Sequence, residues 1–164
     1  MIDPMLRAAV LLASASLVMA LPAAAADAAA TKSVTIRVLV IPVTRSIKDV
    51  PPKTINLGKW TKGDTITGTS ILRNAVAQFG KPKGARVGTS TGVTTALSSQ
   101  MAKADAVARF PGGTVHARGV GRIGPTAKVP IVGGTGLYAE ATGVVEGRHL
   151  ANGDTLEVLR LQVP

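Results

Sequence analysis

Residues 128–143 read KVPIVGGTGLYAEATG. A short apolar run, 129–132, leads into Gly133, Gly134 and Gly136. Within it, residues 134–139 fit G-x-G-x-x-A, a dinucleotide-binding fingerprint. That fingerprint needs a helix after the glycines, so that the pyrophosphate meets a helix N-terminus. Here Gly143 and Gly147 interrupt the following segment, and Val144-Val145 favours strand. The chain beyond Gly136 is also too short for a doubly wound sheet. The glycines are therefore expected to serve positive φ and close backbone approach in a turn between two strands. No cofactor is expected.

The remaining chain shows alternation and β-branched runs and no sustained helical period. Strands are expected at 33–41, 64–74, 85–95, 104–110, 114–121, 128–132, 139–150 and 155–163. Pro42 is expected to end the first. A single helical turn is expected over 97–103. Pro111-Gly112-Gly113 is a tight-turn signal, and Asn152-Gly153 suits a type I′ hairpin, which needs positive φ at both central residues. Eight short strands with frequent turns predict an all-β fold, either a sandwich or a closed barrel. Alternation alone does not choose between them.

The chain has 164 residues. Arg7 precedes a largely apolar run over 8–21, followed by small residues over 22–26. This pattern predicts a secretory signal peptide at 1–26, with Met1 or Met5 as the start, and a single domain at 27–164. The run is short for a bilayer span, and no later segment is apolar enough for one. Secretion into the medium, periplasm or envelope is the expected destination. Cysteine is absent, which excludes disulfides and thiolate metal sites.

The net charge of +10 points towards anionic partners, but the bases are scattered singly. Single-strand binding needs aromatic platforms, and Trp60, Phe79, Phe110 and Tyr138 are the only aromatics. No nucleic-acid partner is expected. Gly88-Thr89-Ser90-Thr91-Gly92 fits G-x-S-x-G, yet the β-branched residues after it deny the helix that a nucleophile elbow requires. It reads as a Thr/Gly-rich strand.

The glycine stretch, with Tyr138, Ala141 and Gly143, resembles the signature of plant dirigent proteins. Phe110, Gly112-Gly113-Thr114-Val115 and Gly119 are similar to that family's hairpin, and the resemblance covers residues 62–163. It implies an eight-stranded antiparallel β-barrel of the allene oxide cyclase and dirigent kind, usually a homotrimer, with a hydrophobic cavity. Some such proteins steer cyclisation of reactive intermediates without a cofactor. The Glu and Asn that allene oxide cyclases carry on the first strand, and the Asp that dirigent proteins have near its end, have no counterpart in 33–43, where Arg37 is the only ionisable group. No family catalytic residue can be transferred.

Three functions remain open: a cofactor-independent cyclase or isomerase, a non-catalytic carrier of a small hydrophobic ligand, and a structural surface protein. Candidate ligand-binding groups are Arg37, His116, Arg118 and Tyr138. His116 and Arg118 share a face of the fifth strand; facing the lumen, they could polarise a carbonyl or hold a carboxylate. Arg109 reads as a surface group, Glu146 and Arg148 as a solvent-side pair, and Asp64 and Asp154 as turn residues. His116 and His149 lack ligand-like spacing, so no metal site is expected.

Overall fold

The computed structural model describes residues 31–55 and 58–164, so the leader expected over 1–26 lies outside the described residues. The alternating segments form eight strands: β1 (Lys32–Lys48), β2 (Thr65–Asn74), β3 (Arg86–Ala96), β4 (Met101–Phe110), β5 (Gly113–Arg122), β6 (Thr126–Gly136), β7 (Thr142–His149) and β8 (Thr155–Val163). Each pairs antiparallel with the next. β8 returns to β1 in register from Lys32↔Val163 to Val40↔Thr155, which closes the barrel and leaves no free sheet edge. That last pairing decides barrel over sandwich. Among the described residues no helix is long and apolar enough to cross a membrane.

Directly opposed residues share a face of the sheet, so the register identifies the inward side chains. They divide the barrel into two halves. Where β1 begins and β8 ends, Ile36, Val38, Leu72, Val87, Phe110, Ile131, Leu159 and Leu161 form one buried cluster. Phe79 stacks on Phe110 at 5.8 Å, and Tyr138 meets Phe110 edge-on at 6.2 Å. Each large apolar side chain removed from water contributes roughly 1.5–3 kcal/mol, so this plug carries most of the core energy. Towards the other end, the opposed inward positions are Gly68, Gly92 and Ala106, then Ala104 with Gly119 and Ala127 with Gly147. These side chains are too short to meet across the axis, and the barrel stays open.

Three local expectations are corrected. Pro42 does not end β1; it stays in the ladder opposite Ser70, and a bulge between Pro42 and Thr44 absorbs its missing N–H. The helical turn over 97–103 does not form. The N–H groups of Leu97 and Ser98 both donate to the Met101 carbonyl, making a tight turn, and Met101 already belongs to β4. The glycine run extends β6, paired with β5 from His116↔Gly133 to Gly113↔Gly136, and the turn comes after it. Gly133 and Gly136 have the expected positive φ, 142° and 61°. Gly134 does not, and its requirement is space: a Cβ there would lie 2.1 Å from the Thr114 carbonyl oxygen and 2.6 Å from that of Tyr138. Turn, not helix, follows Gly136, in line with the rejected dinucleotide reading.

Candidate functional site

The open half of the barrel encloses a cavity of about 520 Å³, walled by alanine, glycine, threonine and valine. One charged side chain reaches deep into it. Glu157 on β8 lies opposite Val38 on β1 and opposite Gly147 on β7. Leu159, Leu161 and Val163 follow it on the same inward face, while Arg160 and Gln162 point out. Burial pushes the Glu157 carboxyl up to about 7, and neither a hydrogen bond nor a neighbouring charge offsets that shift. Nearer the mouth, His149 and Thr155 are opposed, with His149 Nδ1 2.9 Å from Thr155 Oγ1. Ser70 and Ser90, opposed on β2 and β3, add hydroxyls to the wall.

A carboxyl titrating near neutrality in an apolar chamber can both give and take a proton. Sequence reasoning missed Glu157, although the alternation of β8 carried the signal. His149 was weighed as a metal ligand and set aside, not as a lumen group. With Glu146 and Arg148 assigned outward, alternation already turned it inward.

The mouth is asymmetric. Trp60, in the β1–β2 connection, lines it half-buried. That connection is held by Asp64, which is fully buried and accepts hydrogen bonds from Val50 N at 2.9 Å and Thr61 N at 2.6 Å. Asp64 is thus a clasp across the loop rather than a simple turn residue. The β1 bulge shifts the alternation, so that Arg45 opposes inward-facing Gly68 and borders the lumen. Arg122, the last residue of β5, borders it as well.

The four residues singled out from sequence lie elsewhere and do not come together. Arg37 points outward between buried Ile36 and Val38, and its backbone N–H and carbonyl bind the Gln78 amide at 3.2 and 2.7 Å. His116 is exposed on the outer face, 3.5 Å from Thr114 Oγ1. Arg118, also outside, forms an ion pair with Asp105 at 2.8 Å. The lumen placement considered for His116 and Arg118 therefore does not hold, because Val115 and Ala117 take the inward positions of β5. Tyr138 is buried in the closed end, donates to the Pro111 carbonyl at 3.1 Å and has its pKa raised by burial.

Glu146 faces outward, as expected, but its partners are Lys128, at 2.7 Å, and Arg160 rather than Arg148. Hydrogen bonds from Lys128 and Arg160 draw its carboxyl down to about 2. Ser90 sits mid-strand in β3, with no elbow around it. Among the described residues, no group of three or more His, Asp or Glu side chains is placed to hold a metal ion.

No family model matches the chain, and no curated protein matches it. Solved structures do. A pyocyanin demethylase superposes with a TM-score of 0.62 at 22% identity, covering 78% of this chain and 99% of its own. The pterocarpan synthase dirigent protein GePTS1 gives 0.61 at 16% identity, covering 81% of this chain and 89% of its own. A second pterocarpan synthase dirigent protein, PsPTS1, gives 0.61 at 18% identity, with coverages of 80% and 95%. At these identities the likeness is one of fold, and it agrees with the resemblance carried by the glycine stretch. The chain is a closed, eight-stranded antiparallel barrel that shares its fold with these dirigent proteins.

Proposed function

We propose that the barrel takes one small, largely apolar molecule into its lumen and steers the cyclisation, isomerisation or coupling of that molecule without a cofactor, with Glu157 handling the proton. The observation that carries this reading is a carboxyl, unpaired among the described residues, deep in a chamber walled mainly by short side chains. Confinement holds a flexible substrate in one folded shape, and lost freedom of this kind lowers barriers by several kcal/mol in favourable cases, up to about 10. A protonated Glu157 can then donate to a carbonyl or ether oxygen as charge develops there. Three structural neighbours carry enzyme names, a demethylase and two synthases, which supports a reaction chamber.

A carrier is the second reading. Next to Glu157 the lumen side of β1 carries Ile36, Val38 and Val40, and Arg45 of the same strand lies further off at the mouth, so no second acid–base group stands beside the carboxyl on that strand. The test is product analysis with a panel of reactive polyenes and phenoxy radicals. Altered product ratios that revert in Glu157→Gln support catalysis. Unchanged ratios alongside measurable binding leave a carrier. A structural role would fit a filled lumen better than this open one.

The proposal extends to export, with 1–26 removed and 27–164 forming the mature domain, and to a homotrimer. Exposed Val43, Val120, Val132 and Leu137 supply apolar surface for self-association. N-terminal sequencing of the secreted chain and light scattering test these two points; a retained leader or a monomer refutes them.

A further inference from the structure

Resting on the reading of the lumen as a binding site, we propose that its ligand is a flat aromatic molecule bearing one anionic group, the ring stacked on Trp60 at the mouth and the anion held by Arg45 and Arg122. The distribution of aromatic rings is the first observation. Phe79, Phe110 and Tyr138 are packed together at the closed end. Trp60 stands apart from them at the opposite end, half-buried and bordering the cavity. Its loop is fixed by the buried Asp64 carboxylate, so the indole is presented on a held backbone. An indole bordering an open apolar cavity favours a flat ring over an aliphatic chain.

Charge is the second observation. Arg45 and Arg122 border the mouth, and among the described residues neither forms an ion pair. Lys128 also borders it, but Glu146 engages its ammonium on the outer face. Guanidinium groups bind carboxylates and sulfonates through paired, charge-assisted hydrogen bonds. The chain's net charge of +10 attracts anions to the mouth from a distance. Glu157, the acidic side chain lining the cavity, lies deeper in the barrel than these arginines, and burial favours its neutral form. In that form it can donate a hydrogen bond to an acceptor on the inserted ring system. The volume of about 520 Å³ lies within the range of pockets that take one drug-sized molecule.

The experiment titrates the protein with naphthoate, naphthamide and naphthylmethylammonium by calorimetry, with emission from the chain's single tryptophan as a second readout. Naphthoate is expected to bind about tenfold more tightly than naphthamide at low salt, the worth of one charge-assisted contact. The ammonium should bind most weakly, and the gap should narrow as salt is added. Arg45→Gln with Arg122→Gln should bring naphthoate down to the naphthamide level and leave naphthamide unchanged. Trp60→Leu should weaken both. Both arginines are exposed, so folding of the double variant is not at issue. Naphthamide equal to naphthoate, or the ammonium tightest, overturns this ligand class while leaving a binding lumen. No binding of any of the three removes the binding reading and this inference with it.

Discussion

Gly147 on β7 and Glu157 on β8 stand directly opposite each other on the lumen side of the barrel. A Cβ at 147 would come within 3.8 Å of Glu157 Cγ, ordinary contact distance. The glycine thus leaves one flank of the carboxyl bare, and the alanines further round the wall leave the space in front of it empty. Glu157 is left as the one acidic group lining the chamber that an entering molecule meets.

The raised pKa of Glu157 makes it a source of pH-dependent instability. Its carboxyl titrates at about 7 when folded, against 4.5 when exposed. The folded state holds the proton more tightly, so the penalty is absent below the unfolded value, grows as pH rises and is fully present above about 7. At about 1.4 kcal/mol per unit, it is bounded at roughly 3–4 kcal/mol, and solvent in the lumen lowers it. Glu157→Gln should match the parent near pH ~4 and exceed it near pH ~8 in urea melts. His149, Arg45, Arg122 and Lys128, the other ionisable groups bordering this cavity, are common to both proteins. A stability difference that does not vary with pH would contradict the buried placement.

Filling the chamber should remove binding without harming the fold. Ala106 faces the lumen between Gly92 and Ala117. Ala106→Phe puts a ring into empty space, so its melting temperature should hold or rise while ligand heat vanishes. Binding that survives the substitution would locate the site outside the barrel.

Gly134→Ala should be severely destabilising, by roughly 3 kcal/mol or more, as expected of a forced clash in a packed region. The added methyl would press on the Thr114 carbonyl oxygen, a backbone atom held in the β5–β6 ladder. Urea melts measure this directly. Parent-like stability would mean the two strands are not in the register described.

Asp64→Ala leaves two N–H groups, those of Val50 and Thr61, without their acceptor. A loss of roughly 2–3 kcal/mol is expected, and the loop carrying Trp60 should loosen. Tryptophan emission should shift to the red, and proteolysis within 49–64 should quicken. Unchanged emission would show that the loop is held by other contacts.

Tyr138→Phe removes only the hydrogen bond to the Pro111 carbonyl, at a cost of about 1 kcal/mol. Tyr138 lies in the closed end, so ligand binding should not change. A large loss of affinity would restore it as a binding residue.

Much of the fold was legible in the chain order. The β8 boundaries agree with alternation alone, and the rejection of a helix after Gly136 followed from Gly143, Gly147 and the β-branched pair between them. Local chemistry suffices there, because side-chain parity and turn propensity are properties of short segments. Glu157 was also within reach, since its parity with Leu159 and Leu161 needs no tertiary knowledge.

Other features belong to the tertiary structure. Which face of β5 looks inward could not be read from His116 and Arg118, because Val115 and Ala117 beside them suit either side; their burial in the closed barrel decides it. Arg45 reaches the lumen side only because the bulge at Pro42 reverses the alternation. The Glu157 carboxyl is pushed up only because the other strands close a barrel around it and draw it out of bulk water. Periodicity is local and was available in the sequence; burial depends on what the rest of the chain brings to the same place.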